Sequence, residues 1–167
     1  MPVAVLDDLK THLSANPGAV IEDVARERKV TPRAVLEALP NHMVKFARGE
    51  GFVEAMQEIA TWGDVTLIVH TDDAIFEFSG PVPNGEIGRG YFNLMQPTGL
   101  HGHLRHNRCG GVAFVERPFM NKSSAFVAFL NVDGGIMFKV FVGRDEAREL
   151  KKDQLERFRT LGKKLAG

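Results

Sequence analysis

Residues 124–142 read SAFVAFLNVDGGIMFKVFV and contain two strand-like runs joined by a short turn. The runs 124–131 and 136–142 are rich in phenylalanine and valine, which favour strands. Between them, Asp133-Gly134-Gly135 favours a tight reversal of the chain. We therefore predict a β-hairpin, whose two strands must be antiparallel because so short a connection cannot join parallel strands.

Five further strand-like stretches precede this hairpin. A period of two begins at Asp64, where Val65, Leu67 and Val69 alternate with Thr66, Ile68 and His70. Thr71-Asp72-Asp73 then turns the chain into 75–78, which predicts another hairpin. Residues 81–90 are rich in glycine and proline and predict a loop. Three more runs follow it, at 90–95, 100–106 and 111–117. Seven strands with mainly short connections predict one large antiparallel sheet.

Helical periodicity dominates both ends of the chain. Residues 1–62 show short apolar stripes at three-to-four spacing, with breaks at Asn16-Pro17-Gly18 and Pro40 and a helix start at Thr31-Pro32. Residues 144–167 predict one closing helix, with Asp145 near its start and lysines in its last turn. The sequence thus predicts a single α+β domain: a helical cap (1–62), an antiparallel sheet (63–143) and a carboxy-terminal helix (144–167).

Composition excludes several classes of protein. The 167 residues include 21 basic and 21 acidic side chains, and a net charge of zero argues against nucleic acid or an anionic membrane as the partner. Cys109 is the single cysteine, which excludes an internal disulfide. No apolar run approaches the ~18 residues of a membrane span, and no signal peptide is evident, so we expect a cytoplasmic protein.

The amino-terminal helices also allow a helix-turn-helix interpretation, as in a regulatory DNA-binding module. Residues 1–45 carry six basic and six acidic side chains. The recognition helix would be 32–39, which offers a base edge only Arg33, with Glu37 on the same face. The charge balance favours a structural cap over DNA binding.

Two histidines and the single tyrosine are candidate ligands. In an extended segment His101 and His103 point the same way, about 6.6 Å apart, and could bind one metal ion if another strand supplied a third ligand. The alternative is that the imidazoles face solvent or are hydrogen-bonded. Tyr91 lies in a glycine-flanked run, GRGYFNL (residues 88–94), and phenolate is an oxygen donor suited to ferric iron. The alternative is an ordinary aromatic residue with its hydroxyl in water.

A porphyrin at Tyr91 would also need cations for its propionates. Arg89, Arg105 and Arg108 are the nearby candidates, because guanidinium pairs well with carboxylate. By contrast, no G-x-S-x-G or Walker-type motif is present, and no pattern of residues supports covalent or acid–base catalysis.

Several motifs in order along the chain resemble the HutX/ChuX family of cytosolic haem-utilisation carriers. The resemblance covers nearly the whole sequence. It is carried by Trp62-Gly63-Asp64-Val65-Thr66, Val69-His70-Thr71, Phe76-Glu77-Phe78-Ser79-Gly80, Gly90-Tyr91-Phe92-Asn93-Leu94, Gly102-His103-Leu104, Val115-Glu116-Arg117-Pro118-Phe119-Met120 and Phe141-Val142-Gly143-Arg144-Asp145.

This resemblance implies an intracellular carrier of haem (Fe-protoporphyrin IX) that accepts imported haem and passes it to storage or degradation. It further implies a fold like half of the two-repeat haem-utilisation proteins, a homodimer, and contacts with a haem importer and with downstream haem-handling proteins. Mapping the family motifs places the iron ligand at Tyr91 first, His103 second and His70 third. The alternative function is a haem-degrading enzyme, either an oxygenase or a partner in reductive ring opening.

The predicted hairpin between 90–95 and 100–105 separates the two leading ligands. A four-residue loop, Gln96-Pro97-Thr98-Gly99, pairs residue 91 with residue 104. Tyr91 and His103 would then lie on opposite faces, unless a one-residue register change or a bulge brings them together.

Overall fold

The computed structural model describes residues 1–96 and 99–167. Five α-helices lie within the described residues: α1 (Val3–Ala15), α2 (Ile21–Arg28), α3 (Pro32–Glu37), α4 (Phe52–Ile59) and α5 (Lys152–Ala166). The same residues form nine strands: β1 (Val44–Ala47), β2 (Asp64–His70), β3 (Ile75–Pro81), β4 (Gly85–Gly88), β5 (Tyr91–Leu94), β6 (Gly102–Leu104), β7 (Cys109–Phe119), β8 (Lys122–Asn131) and β9 (Ile136–Phe141).

These strands form two antiparallel sheets. The large sheet has six strands in the order β1-β7-β8-β9-β2-β3, and the small sheet has three in the order β4-β5-β6. The predicted hairpins β2–β3 and β8–β9 are both present. The α+β class with a large antiparallel sheet and a carboxy-terminal helix is confirmed.

Both faces of the large sheet are buried, each in its own core. One face packs against α4, α5 and the small sheet, through side chains that include Phe52, Phe92 and Phe158. The opposite face packs against α1, α2 and α3. This arrangement explains the continuous apolar run in β8, where every residue from Ser124 to Leu130 is buried. A strand covered on both sides has no polar face to alternate with its apolar one.

The amino-terminal helices begin and end where the sequence predicts. Asn16 is the C-cap of α1, and Thr31 is the N-cap of α3, where its hydroxyl accepts a hydrogen bond from the Ala34 amide. Arg33 is the one arginine that the helix-turn-helix interpretation would place against DNA. In the structure it donates hydrogen bonds within the protein, to the Glu37 carboxylate at 2.8 Å and to the carbonyl of Gly110 at 3.2 Å. The three helices therefore pack as a cap on the sheet.

Two strands were not predicted. β1 lies inside the segment predicted as wholly helical and pairs with β7, Val44 opposite Val115. β4 lies inside the predicted loop 81–90, and Arg89-Gly90 turns it into β5 with φ angles of 54° and 83°. Both strands are only four residues long, so neither shows a periodicity that separates strand from helix or loop.

The carboxy-terminal helix starts later than the predicted residue 144. Arg144 instead forms a bridge to Leu150, and Asp145 accepts a hydrogen bond from the amide of Glu149 across a tight turn. Arg148 in that turn has a φ of 63°, outside the helical region. The helical periodicity of 147–150 is therefore overridden by a local turn, and α5 begins at Lys152. Of the helices in the described residues, none is long and apolar enough for a membrane crossing.

Candidate functional site

The small sheet has one buried face and one outer face, and the outer face carries the leading candidate ligands. Phe92 and Leu94 of β5 point inward and are 1% and 3% exposed. Their neighbours alternate to the other side. We define the outer face by five residues: Tyr91 and Asn93 of β5, His103 of β6, and His101 and Arg105, which flank β6.

The register of β5 and β6 differs by one residue from that of the predicted hairpin. Asn93 lies opposite His103, and Leu94 lies opposite Gly102. Residue 91 therefore does not pair with 104, and Tyr91 shares its face with His103. Of the predicted turn Gln96-Pro97-Thr98-Gly99, Pro97 and Thr98 lie outside the described residues.

Aromatic rings form a row on the outer face. The ring centroids of Tyr91 and His103 are 5.9 Å apart, and those of His103 and His101 are 5.7 Å apart, both edge to face. The guanidinium of Arg105 lies over the Tyr91 ring, 5.3 Å from its centroid. An oxygen donor, a nitrogen donor and a cation are thus gathered within one small surface. Tyr91 is half-buried, whereas both histidines and Arg105 are exposed.

The two other candidate arginines lie close to this surface. Arg89 is exposed in the turn directly before β5. Arg108 forms an ion pair with Asp133, with 2.6 Å between its Nη2 and a carboxylate oxygen of Asp133. Arg105 and Arg89 are therefore better placed than Arg108 to meet a carboxylate at Tyr91. Among the described residues no group of three His, Cys, Asp or Glu side chains is arranged to hold a metal ion, so the histidine pair finds no third ligand of these types.

His70 lies far from the outer face in the fold. Val65, Leu67 and Val69 of β2 point to the core that the small sheet covers. His70 alternates to the opposite side of the large sheet, where its Nδ1 is 3.5 Å from a carboxylate oxygen of Glu22 on α2. The large sheet and a core layer separate His70 from Tyr91, so one chain cannot bring both to the same ligand.

His70 lines a cleft of about 730 Å³ on that side of the large sheet. The walls come from α2, β2, β3 and β9, and they combine apolar side chains such as Ile68 and Phe141 with charged ones. Arg117, Lys139, Arg144 and Lys151 outnumber the lining carboxylates of Asp64 and Glu77. The size is that of a small-molecule site, and the excess of cations favours an anionic group.

Buried charges form the floor of this cleft. Lys139 is 6% exposed, and its Nζ lies 2.6 Å from a carboxylate oxygen of Glu22. Arg117 donates to the carbonyls of Pro17 and Ala19 at 2.9 and 2.6 Å, and its Nε has no hydrogen-bond partner among the described residues. Burial lowers the pKa of Arg117 to about 10.

The donor atoms and charges on the outer face are of the types that bind haem. Ferric iron binds phenolate and imidazole, and Tyr91 and His103 supply one of each on the same surface. Arg105 and Arg89 supply positive charge for propionates. Met95, two residues beyond Asn93, adds an apolar side chain that is 56% exposed. What the outer face of one chain lacks is a second wall, because the surface is open to solvent.

Two features of these surfaces escaped the sequence analysis. Asn93 was noted only as part of a motif, although its side chain contacts His103. The Glu22–Lys139 pair was also missed. A signal for it exists, since Lys139 is the lone charge in the apolar run IMFKVFV, and a lysine there needs a buried partner.

Comparison with known proteins identifies close relatives. The chain matches the family described as haem utilisation ChuX/HutX over residues 45–161. It is 37% identical over 150 residues to the intracellular heme transport protein HutX of Vibrio cholerae serotype O1, which covers 89% of this chain and 78% of that protein.

Solved structures agree closely with the fold. A crystal structure of a protein from Erwinia carotovora is 44% identical, covers 94% of this chain and 98% of its own, and superposes with a TM-score of 0.90. The structure of the heme binding protein ChuX is 36% identical, covers 95% and 99%, and has a TM-score of 0.86.

A longer protein shares the fold alone. PhuS from Pseudomonas aeruginosa is 15% identical with a TM-score of 0.74, and the match covers 92% of this chain but 44% of PhuS. This ratio agrees with the predicted likeness to half of a two-repeat protein.

Proposed function

The chain belongs to the haem utilisation ChuX/HutX family, and from this membership we propose that it is an intracellular haem carrier. It accepts haem after import and passes it to storage or degradation, working in the cytoplasm between a haem importer and downstream haem-handling proteins. Its relatives are named as an intracellular heme transport protein and a heme binding protein, which supports haem as the cargo.

The iron ligand in this proposal is the Tyr91 phenolate, with His103 as the alternative. The observation that carries it is the contact between their rings on the outer face, 5.9 Å between centroids, with Arg105 against the same phenol. Phenolate binds Fe(III) more strongly than Fe(II), because the reduced iron has less charge to hold an anionic oxygen. One-electron reduction of the iron by an external electron donor would therefore weaken the phenolate bond and favour release.

A second copy of the chain completes the site in our proposal. The outer face leaves one side of a bound haem uncovered, and the cleft that contains His70 lies on the opposite side of the same chain. His70 takes part only if a partner copy brings its cleft to this outer face. The likeness to half of a longer protein supports such a homodimer, and so do exposed apolar side chains on the edge strand β3, Ile75 and Phe76 at 59% and 68% exposure.

Haemin titration tests the carrier function. We expect a saturable Soret shift in the wild type, a complex that survives gel filtration, and altered high-spin charge-transfer bands in Tyr91→Phe. His103→Leu is compared with His42→Leu, a matched control at an exposed histidine outside the site. A colourless wild type after gel filtration contradicts the carrier function, and an unchanged Tyr91→Phe spectrum removes Tyr91 from the iron.

Subunit mixing tests the homodimer. Light scattering should give twice the mass of the chain. If His70 of one copy serves the Tyr91 of another, equal amounts of Tyr91→Phe and His70→Leu chains mixed together should form mixed dimers in half of all pairings, and each mixed dimer should recover one of its two sites. A monomer at micromolar concentration contradicts the proposal.

The alternative function, a haem-degrading enzyme, uses the same site and stays a prediction. Aerobic incubation of the haem complex with an electron donor separates the enzyme from the carrier, since only an enzyme releases iron and forms an open-chain pigment.

A further inference from the structure

Asn93 connects both neighbouring strands of the small sheet through its side chain. Its Nδ2 donates to the carbonyl oxygens of Glu86 and Gly88 on β4, at 3.3 and 3.1 Å. On the other side its Oδ1 lies 2.6 Å from Nδ1 of His103 on β6. Asn93 is therefore bonded to β4 and β6 from its place on the central strand.

The two carbonyls of β4 fix which way the Asn93 amide faces. A carboxamide nitrogen only donates hydrogen bonds and a carboxamide oxygen only accepts them. Rotating the amide by 180° would place its oxygen against the carbonyls of Glu86 and Gly88, with both hydrogen bonds lost. The atom facing His103 is therefore the oxygen.

An oxygen that only accepts requires a proton on the histidine nitrogen it faces. A neutral imidazole carries one N–H, so a proton on Nδ1 leaves Nε2 with a free lone pair. We infer that Asn93 is a positioning residue, which keeps His103 as the Nδ1–H tautomer and leaves an unprotonated Nε2 on the outer face beside Tyr91. The tautomer follows from these contacts alone, whereas its use in haem binding rests on the proposed function.

The lone pair at Nε2 has a definite use next to Tyr91. If the Tyr91 phenol is the ligand, the unprotonated Nε2 offers a hydrogen-bond acceptor on the same surface, with 5.9 Å between the two ring centroids. If His103 is instead the ligand, the same lone pair binds the iron. An Nε2–H tautomer would do neither, which makes Asn93 a determinant of affinity without touching the cargo.

Nitrogen NMR of the haem-free protein tests the tautomer directly. Two-bond proton–nitrogen correlations of the histidine rings are recorded about two units above the ordinary histidine pKa, where the rings are neutral. We expect the Nδ1–H pattern for His103, assigned by its loss in His103→Leu. An Nε2–H pattern in the wild type overturns the inference, and this measurement needs no Asn93 variant to fold.

Two substitutions at Asn93 separate tautomer control from structural support. Asn93→Ala removes the acceptor, and His103 should change to the Nε2–H form while exposed His42 stays unchanged. Asn93→Asp loses both hydrogen bonds to β4 but keeps an acceptor, and should keep the Nδ1–H form. If Asn93→Ala leaves His103 as Nδ1–H, Asn93 does not set the tautomer and the inference fails.

Haemin binding by the same variants tests the consequence. Asn93→Ala should bind haemin about 10- to 100-fold more weakly, the range for removing a residue that orients a ligand, and Asn93→Asp within a few-fold of the wild type. Equal affinity of Asn93→Ala and the wild type overturns the role in binding. A wild type with the Nδ1–H tautomer but no Soret shift contradicts the proposed function and leaves the tautomer assignment standing.

Discussion

The ring of Phe92 lies edge to face against the ring of Phe52, with 5.8 Å between the centroids. Phe52 begins α4 and also contacts Phe129 and Phe138 of the large sheet. This contact joins the small sheet to the main core, and both phenylalanines are 1% exposed. The placement of Tyr91, directly before Phe92, depends on it.

Gly85→Ala should disturb this contact. A methyl group on Gly85 would overlap the Phe92 ring, which is buried and packed against Phe52. We expect a loss of about 1–3 kcal/mol in the free energy of unfolding, the usual cost of overpacking, measured by urea denaturation. Gly102→Ala in the same sheet is the matched control, because among the described residues, its two chain neighbours aside, no atom lies within 4 Å of the added methyl group. Equal stability of the two variants would contradict the packing described here.

Gln154→Leu should destabilise the start of α5. Gln154 is 1% exposed; its Oε1 accepts from the Gly143 amide at 2.7 Å, and its Nε2 donates to the carbonyls of Trp62 and Asp64 at 3.0 and 2.8 Å. Leucine leaves these three backbone groups without that partner, at a cost of about 3 kcal/mol in the free energy of unfolding. Gln57→Leu, on the exposed face of α4, should change it by less than about 0.5 kcal/mol.

Lys139→Met should remove the nearest cation from the buried Glu22 carboxylate and leave His70 as its neighbour. Removing one member of a buried ion pair typically costs about 3–5 kcal/mol, because the remaining charge stays buried. The double variant Glu22→Met with Lys139→Met should recover most of that loss, since neither charge is then buried. Chemical denaturation of the four proteins of this cycle measures the coupling. A double variant no more stable than Lys139→Met would show that the loss of stability does not come from breaking the Glu22–Lys139 ion pair.

Cys109 should make stability fall at alkaline pH. Burial raises the pKa of its thiol above the ordinary value of 9.0, and its Sγ lies 3.3 Å from the carbonyl of Gly111. Above pH 9 the unfolded thiol has lost its proton while the folded one keeps it. The unfolded state then binds fewer protons, so the free energy of unfolding declines as pH rises.

Cys109→Ala isolates this effect, because all other titrating groups stay the same. Its free energy of unfolding should decline less steeply than that of the wild type as the pH rises above 9.0. Parallel curves for the two proteins would rule out a raised thiol pKa as the cause. The wild-type thiol should also react slowly with alkylating reagents at neutral pH, since the thiolate is the reactive form.

The large sheet could be predicted from the sequence because its strands are long and carry a clear signal. β8 contains a continuous apolar run, and in β2 the core-facing Val65, Leu67 and Val69 occur at every second position. β1 and β4 could not be predicted, because each has only four residues and shows no period of its own; β1 also pairs with a distant strand, and β4 begins and ends with glycine. The division into two sheets depends on packing through Phe92, which no local pattern reveals.

The candidate ligands could be named from the sequence, but their grouping could not. Whether Tyr91 and His103 share a face depends on a register that changes with a single residue of the connection, and sequence does not fix that length. The separation of His70 from both follows from alternation in β2 together with the side of the large sheet that the small sheet covers. The link from Asn93 to His103 needs that register as well.

The small sheet has no backbone hydrogen-bond ladder with the large one: among the described strands, β4, β5 and β6 pair only with one another. Side-chain packing and the chain connections from β3 to β4 and from β6 to β7 join them to the six-stranded sheet. Amide protons of these three strands should therefore exchange with solvent through a local opening that needs less free energy than global unfolding, while those of the central strand β8 exchange last. The haem surface that we propose on the small sheet can therefore loosen and re-form while the large sheet stays folded, so release of haem from it requires no unfolding of the whole domain.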